Sequence, residues 1–518
     1  MAPVELAPPG RGGVRRSGVL LHITSLPSKH GVGDLGPEAH LFISDLAAAD
    51  QAYWQMLPVG PTGYGDSPYQ SWSSFAANPM LISLDRLVEL GLLAPAEIEP
   101  LESAPAGAVD YAAVIGAKTE ALERAALAFR DQAAPGLVEA YSEFRDRHGP
   151  QWLDDAAVFA AVKAASGGAA FTEWPAGLAR RDEDELGPAA ESLKDEIEAF
   201  KILQFLFFEQ WRALRRAADA VRVRLVGDLP LYVAHDSADV WARPEEFLLD
   251  AARRPTVVAG VPPDYFSPTG QRWGAPIYDW DRMQENGFSW WRGRTAHILS
   301  MFDVVRIDHF RGIAGYWAIP AEEETAVKGE WLEGPGSALL DAIGVEGGDK
   351  RIIAEDLGVV TEDVEALRDG YGLPGMRVAQ FGFDGAPDTS LHHPRAFTPR
   401  VWAYTGTHDN NTTEGWFWAP SPRRVASKLG AGRRKLLAAV GEPVSWGLVE
   451  MVAASAATTT VYPAQDLLGL GAEARMNTPG TAEGAWRWRL RPGELDDETL
   501  ERLALTTRRT GRSREERR

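Results

Sequence analysis

Eight short apolar segments along the 518-residue chain constrain the fold of this protein more than any other feature. Most are nearly continuous runs of Val, Ile and Leu, which is the pattern of strands buried on both faces. Eight such strands with helices between them predict a (β/α)8 barrel, the TIM barrel of the α/β class. The segments are Val19–Ile23, Tyr53–Val59, Arg224–Leu229, Val304–His309, Arg351–Asp356, Met376–Phe381, Val401–Thr407 and Thr459–Gln465.

The largest gap between these strands predicts a mainly helical insertion at residues 80–220. Ile115–Gln132 and Asp154–Ala164 are helix-like. In Ser192–Arg216, apolar and aromatic residues recur at three- and four-residue steps and form one apolar face. We expect these aromatic side chains to belong to a core rather than to a ligand site.

A second long excursion, residues 231–295, contains VPPDYFSPTGQRWGAP. A loop of that length inside a compact fold is usually functional or disordered. Its aromatic residues Tyr265, Phe266 and Trp273 look exposed, and they favour a lid.

The barrel is predicted to span residues 17–490, between two terminal segments. Residues 1–16 have the composition of a flexible leader and lack the apolar core of a secretory signal. Residues 491–518 are predicted to hold a helix and a polar tail, and the stretch TTRRTGRSREERR is expected to be disordered.

Composition excludes several classes of function. The formal charge of -20 and the pI of about 5.0 disfavour nucleic acid and anionic membranes as partners, because both require a positive face. A neutral substrate fits better. The chain has no cysteine, which excludes disulfides, thiolate metal sites and a cysteine nucleophile and fits a cytoplasmic location. The sequence contains no uninterrupted run of about 18 apolar residues, so it does not predict a membrane helix.

Four acidic residues stand at the ends of predicted strands, namely Asp228, Asp308, Glu355 and Asp409. In a barrel, the carboxyl ends of all strands meet on one face, where catalytic residues lie. One acid after a strand is usually a helix cap or part of a turn, but four from different strands indicate a site. Asp356, beside Glu355, is interpreted as a cap or a structural acid.

Arg306 and Asp308 are two residues apart on one strand, so their side chains point the same way. The guanidinium favours the ionised carboxylate that a nucleophile requires. The alternative is a buried structural ion pair. Two carboxyl groups suffice to cleave a glycosidic bond, and a separation of roughly 5–5.5 Å gives retention through a covalent intermediate. A third can stabilise the transition state.

Other chemistries have weaker sequence support. His309 adjoins Asp308 and His408 adjoins Asp409, but strand neighbours point to opposite faces, so we predict no metal. The GxxxxGK[ST] phosphate loop and the GxSxG elbow of serine hydrolases are both absent from the sequence.

The motifs around these acids resemble those of the amylomaltases, or 4-alpha-glucanotransferases (disproportionating enzymes), of the alpha-amylase clan. The resemblance extends from about Ser17 to Leu490 and is least specific near residues 85–200. It implies a barrel with inserted subdomains and without the C-terminal β domain of amylases. The matching motifs are LLHITSLPSKHGVGDLG, GPTGYGDSPYQSWSSFAANP, VGDLPLYVAHDSADVW, AGVPPDYFSPTGQRWG, VVRIDHFRG, IIAEDLGVVTEDVEALRDGYGLPGMRVAQF, YTGTHDNNTTEGW and QDLLGLGAEARMNTPGT.

The resemblance implies Asp308 as nucleophile, Glu355 as general acid/base and Asp409 as transition-state stabiliser. It also implies further residues that bind the substrate or orient the nucleophile, namely Ser67, Tyr69, Asp228, Gln271, Arg306, His408 and Asn477, with Tyr265, Phe266 and Trp273 in a lid over the groove.

The implied activity transfers segments of alpha-1,4-glucan from donor malto-oligosaccharides to glucose or malto-oligosaccharide acceptors, as part of starch and glycogen metabolism. No cofactor is implied, and a monomer or weak homo-oligomer is expected. The alternatives are a retaining alpha-glucan hydrolase on the same scaffold, a sugar-binding protein on an inactive barrel, and a phosphate-binding barrel enzyme.

Overall fold

The computed structural model describes residues 14–99, 106–263, 267–345, 351–358, 360–383, 390–419, 436, 440, 443–481 and 484–514. Its strands, in chain order, are β1 (Arg16–Leu20), β2 (Tyr53–Gln55), β3 (Arg224–Leu229), β4 (Val257–Val261), β5 (Gln271–Pro276), β6 (Val304–Ile307), β7 (Gly315–Pro320), β8 (Glu330–Glu333), β9 (Ile352–Ala354), β10 (Gly375–Val378), β11 (Val401–Tyr404) and β12 (Thr459–Pro463).

Eight of these strands form one parallel sheet, in the order β10-β11-β12-β1-β2-β3-β6-β9. The Ala354 amide donates a hydrogen bond to the Pro374 carbonyl across 2.9 Å, which joins β9 to the residue before β10 and closes the ring. Each predicted segment overlaps one of these strands, so the predicted (β/α)8 barrel is confirmed. Most of the observed strands end before the C-terminal residue of the predicted segment. At these positions the chain leaves the sheet and enters the loops at the carboxyl ends of the strands, which are called the upper face here.

The barrel strands are buried on both faces, as their sequences predict. All residues of β6 and of β12 are buried. Close packing explains the glycine at position 227 in β3, because a Cβ at this position would lie 2.5 Å from the Phe302 ring. The sheet therefore forms a packed core that holds the ends of its strands in fixed positions.

Between β2 and β3 the described chain is mainly helical, and a long helix, Lys194–Ala220, spans its end. Phe207, Trp211 and Leu214 on this helix are buried, as expected of a core face. Trp211 donates from Nε1 to the Met301 carbonyl at 3.2 Å, which ties the insertion to the barrel. The helices before it are Leu84–Glu89, Pro95–Ile98, Tyr111–Gln132, Pro135–His148, Asp154–Ala165, Ala176–Arg180 and Glu183–Ser192.

The remaining α-helices flank the barrel strands or lie in their connections. They are Pro37–Ala48, Ala238–Ala242, Trp280–Glu285, Ser289–Met301, Arg311–Ala314, Gly336–Ala342, Glu362–Gly370, Thr413–Trp418, Val444–Ala454, Ala464–Leu467 and Asp497–Arg509. No helix among the described residues has both the length and the apolar character that a membrane crossing requires.

A second sheet, which the sequence did not predict, lies in the connections on either side of β6. It is antiparallel, with the order β5-β4-β7-β8. The sequence of β5 (QRWGAP) does not predict a strand, because it contains Gly and Pro and does not alternate apolar with polar residues. Trp273 lies on β5 and is half-buried rather than exposed. Tyr265 and Phe266 lie outside the described residues.

The expected disorder of the C-terminal tail is wrong for residues 506–514. The helix Asp497–Arg509 includes the buried Thr507, and Arg512 is fully buried. The Arg512 guanidinium donates to five backbone carbonyls, which gives this polar sequence a fixed place. The five carbonyls belong to Arg16, Ala453, Ser455, Ala457 and Thr458, at 2.7–3.2 Å.

Candidate active site

The carboxyl ends of four barrel strands bring the predicted acids to one face. Asp228 lies in β3, and Asp308 directly follows β6. Glu355 directly follows β9, whereas Asp409 lies in the loop between β11 and the helix Thr413–Trp418. We predicted all four acids at strand ends. In the structure three of them lie at strand ends, and the fourth, Asp409, lies in the loop that follows its strand.

Arg306 joins two of these acids. Its Nη1 lies 2.6 Å from Asp228 Oδ2, and its Nη2 lies 2.8 Å from Asp308 Oδ1. Tyr69 donates from its hydroxyl to the same Asp228 oxygen at 2.8 Å. Arg306 and Asp228 are buried, whereas the Asp308 side chain is 30% exposed. The ion pair is thus a support for Asp308, which remains accessible from the cleft.

The charges of this cluster depend on burial. Burial lowers the pKa of Arg306, but the adjacent Asp228 and Asp308 outweigh it and raise that pKa well above its ordinary value. Burial also raises the pKa of Asp228, against the opposing effect of Arg306. Because the guanidinium stays charged, it offers Asp308 a permanent positive partner.

Glu355 is held by two backbone amides. His309 N donates to its Oε2 and Leu357 N donates to its Oε1, both at 2.8 Å. Burial raises the pKa of this carboxyl to about 7, with a further increase from Asp308, although Arg306 and the two amides favour ionisation. Glu355 is therefore present in both protonation states near neutral pH, as a group that donates and then accepts a proton requires.

Asp409 has the opposite environment. Burial disfavours its charge, but the neighbouring His408 and the Asn477 amide lower its pKa below the ordinary range. His408 Nε2 lies 3.4 Å from Asp409 Oδ2, and Asn477 Nδ2 lies 2.6 Å from Oδ1. Burial lowers the pKa of His408, but Asp409 raises it above its ordinary value. Asp409 is thus a stable anion between His408 and Asn477.

Other predicted site residues surround this cluster. Tyr69 stacks on the His408 ring with centroids 5.1 Å apart, and its amide donates to Ser67 Oγ at 3.3 Å. Gln271 Oε1 accepts from Trp273 Nε1 at 3.2 Å on β5, outside the carboxylate cluster. The position of Trp273 places the second sheet beside the upper face of the barrel.

Asp356 is separated from its neighbour Glu355 by its partners. It is buried and accepts hydrogen bonds from Arg368, from Arg377 at 3.2 Å and from the Met376 amide at 2.6 Å. This arrangement joins the end of β9 to β10. The interpretation of Asp356 as a structural acid agrees with these contacts.

Three residues around the site were not predicted. His309 has a left-handed backbone (φ 51°) and its ring meets Trp273 edge to face at 4.8 Å. Arg475 Nη2 donates to the Asp409 carbonyl at 2.7 Å. Trp486 lies 5.8 Å from Tyr69, centroid to centroid. The adjacency of His309 to Asp308 and the presence of Arg475 and Trp486 in or near quoted motifs were the available signals.

Among the residues that the structure describes, no group of three or more His, Asp or Glu side chains could hold a metal ion. What the site contains is four carboxyl groups around a buried guanidinium, and burial raises the pKa of Asp228 and Glu355 whereas His408 and Asn477 lower that of Asp409. This fold and this site define a class: barrel enzymes that act on glycosidic bonds with carboxyl groups.

Comparisons with known proteins specify the class. A sequence model of the family described as 4-alpha-glucanotransferase matches residues 21–496. The 4-alpha-glucanotransferase of Thermus thermophilus is 48% identical over 505 residues, which cover 96% of this chain and 99% of that protein. That of Synechocystis sp. is 44% identical over 506 residues, covering 96% and 98%.

A solved structure gives the same result in three dimensions. The amylomaltase from Streptococcus agalactiae in complex with acarbose superposes with a TM-score of 0.91 at 37% identity, covering 96% of this chain and 100% of that chain. The chain belongs to the 4-alpha-glucanotransferase family, and the resemblance noted in the sequence is confirmed.

Proposed function

We propose that this protein is a 4-alpha-glucanotransferase that transfers segments of alpha-1,4-glucan by two successive displacements at Asp308. The observation that carries the proposal is the pairing of an accessible Asp308, bound to a buried Arg306, with a Glu355 whose pKa is raised to about 7. A nucleophile needs the first environment and a general acid/base needs the second.

In the first displacement, Arg306 binds Asp308 Oδ1, which leaves Oδ2 to attack C1 of the donor sugar. The bond from C1 to the glycosidic oxygen breaks as the bond from C1 to Asp308 forms. Protonated Glu355 gives its proton to the departing oxygen. The product is a glycosyl ester of Asp308 and a shortened glucan with a free 4-hydroxyl.

In the second displacement, an acceptor 4-hydroxyl attacks C1 and its proton passes to ionised Glu355. The ester bond breaks, Asp308 returns as a carboxylate, and the two inversions restore the alpha configuration. Asp409 is the anion that stabilises the positive charge on the sugar ring in both transition states. Tyr69 and Asp228 orient the donor together with Arg306, His408 and Asn477.

Transfer requires that a sugar compete with water at about 55 M, so the site must bind the acceptor and shield the ester. We propose that Tyr265, Phe266 and Trp273 do this as a lid, and that Gln271 binds the substrate. Support comes from Trp273, which lies on β5 against His309. Replacing Tyr265 and Phe266 with alanine is expected to raise hydrolysis relative to transfer, and an unchanged ratio would exclude the shielding role.

The proposed donors are malto-oligosaccharides and longer alpha-1,4-glucans, and the proposed acceptors are glucose and malto-oligosaccharides, within starch and glycogen metabolism. The relatives are named for this transfer, and the acidic chain suits a neutral substrate. We also propose a cytoplasmic monomer or weak homo-oligomer that needs no cofactor, since proton transfer and nucleophilic attack require only the side chains described.

Incubation of the pure protein with maltotriose alone tests the proposal. Glucose together with chains longer than three sugars is the expected result, because only transfer lengthens chains in dilute sugar. Glucose and maltose without longer products would instead identify a retaining hydrolase. If longer maltodextrins with glucose also give no reaction, the proposed activity is wrong.

A further inference from the structure

Asp466 lies outside the proposed chemistry, in the motif QDLLGLGAEARMNTPGT, on the helix Ala464–Leu467 that follows β12. It is 1% exposed, and its hydrogen bonds come from hydroxyl and amide groups rather than from a charged side chain in the described part of the chain. A buried carboxylate without a cation is costly. The bonds it makes therefore need an explanation.

Asp466 bridges both ends of one loop. This loop, residues 405–413, is called the Asp409 loop here because it carries Asp409. Thr405 donates from Oγ1 to Asp466 Oδ2 at 2.5 Å at the start of the loop. At its end, Thr413 donates from its amide to Oδ1 at 2.7 Å and from Oγ1 to Oδ2 at 2.8 Å. Both threonines are fully buried.

The interior of the loop is also fixed by hydrogen bonds. Asn410 Oδ1 accepts from the amide and the hydroxyl of Thr407 at 2.8 and 2.9 Å. The Asp409 amide donates to Thr407 Oγ1 at 3.3 Å. Gln380 Nε2 donates to the Asn411 carbonyl at 2.9 Å. Because these hydrogen bonds make the loop rigid, a shift of either end of the loop also moves Asp409.

The segment after Asp466 holds the top of the same loop. Arg475 donates to the Asp409 carbonyl, and the Asn477 amide donates to the His408 carbonyl at 3.1 Å. By contrast, the Asp409 side chain is 45% exposed, so packing does not determine where its carboxylate lies. Its position depends on the hydrogen bonds of the loop and on the bond that Asn477 Nδ2 donates to its Oδ1 at 2.6 Å.

We propose that Asp466 is a positioning residue that holds the two ends of the Asp409 loop and thereby fixes the position of the Asp409 carboxylate in the active site. The inference rests on the proposed function, in which Asp409 stabilises the transition state. An error of about 1 Å in the placement of a catalytic group can cost about 100-fold in rate. Asp466 therefore acts on turnover more than on substrate binding.

The first test compares three variants by their steady-state kinetics with maltotriose. Asp466→Ala is expected to lower kcat about 100-fold and to change KM less than threefold. Asp466→Asn is expected to recover kcat to within about tenfold of the parent, because its amide oxygen still accepts from Thr413 N. Thr405→Val, which removes one hydroxyl at constant shape, is expected to lower kcat several-fold.

Asp50→Ala is the matched control. Asp50 is buried and also accepts from a hydroxyl and a backbone amide, those of Ser513 at 2.7 Å and Arg514 at 3.1 Å, and it differs from Asp466 in having a cationic partner, Arg508 at 3.5 Å. It lies before β2, at the opposite end of the barrel. Its kcat is expected to stay within twofold of the parent. If Asp466→Ala and Thr405→Val behave like this control, the positioning role is refuted.

A double-mutant cycle separates positioning from an independent effect. An activated glycosyl fluoride donor, which needs no proton from Glu355, keeps the slow variants measurable. In an Asp409→Asn background, Asp466→Ala is expected to cost less than threefold. A further 100-fold loss would show that Asp466 does not act through Asp409. Parent-like activity in Asp409→Asn alone would instead overturn the role assigned to Asp409 in the proposed function.

Discussion

Replacing Glu355 with glutamine is expected to remove a pH-dependent loss of stability that the ionised carboxylate imposes on the unliganded protein. Burial raises the pKa of Glu355 from an ordinary 4.5 to about 7 in the folded chain. The folded state therefore holds this proton more tightly than the unfolded state. Below pH 4.5 both states are protonated, and stability falls as the pH rises from there through 7.

The size of the effect follows from the two pKa values. At pH 8 the ionised carboxylate costs the folded state about 3 kcal/mol, and at pH 5 it costs about 0.8 kcal/mol. Glutamine has one acceptor oxygen for the amides of His309 and Leu357, so one amide loses its partner. That loss, about 1–3 kcal/mol, is the same at both pH values. The difference between pH values isolates the charge.

Differential scanning calorimetry of parent and variant at pH 5 and pH 8 measures this difference. With an unfolding entropy of about 1.1 kcal/mol/K for a chain of this length, Glu355→Gln is expected to gain about 2 °C in Tm relative to the parent between the two pH values. Glu450→Gln, at an exposed site, serves as control. Equal Tm differences at both pH values, or a gain at pH 5 only, would refute the reasoning.

Three further predictions concern single side chains. Asp308→Asn is expected to lower kcat about 10⁴-fold or more, because an amide is a poor nucleophile, while maltotriose binding by calorimetry stays within tenfold; parent-like turnover would remove Asp308 from that role. Tyr69→Phe keeps the His408 contact and loses the bond to Asp228, so kcat/KM for maltotriose should fall about 10- to 100-fold, and no change would mean that this bond is unimportant. Arg512→Ala leaves five carbonyls without this donor, so Tm should fall about 3–5 °C at unchanged kcat; an unchanged Tm would contradict the bonding described.

The barrel could be predicted from sequence because its strands carry a local signal. Nearly continuous apolar runs such as VVRI in β6 are typical of strands buried on both faces. The second sheet had no such signal, since QRWGAP in β5 pairs with β4 through a register shift between Val258 and Gly260. Short, irregular strands are identified by the strands with which they pair rather than by their own composition.

The sequence predicted which acidic residues lie in the site, but it did not predict their contacts or their pKa values. The strand-end rule and the two-residue spacing of Arg306 and Asp308 placed the acids on one face. The raised pKa of Glu355 depends on burial and on amides that only the folded chain supplies. The burial of Arg512 likewise depends on carbonyls of β1 and of the segment before β12, which composition does not reveal.

The closure of the barrel has a consequence for folding during synthesis. β1 pairs with β12, so one edge of the first strand stays open until residues 459–463 have been made. The lock that Arg512 places on the Arg16 carbonyl follows almost 50 residues later. A growing chain therefore exposes an unpaired, apolar strand edge for most of its synthesis, which is a condition that favours aggregation. Chains interrupted before β12 are for this reason expected to be substrates of chaperones and proteases rather than stable fragments.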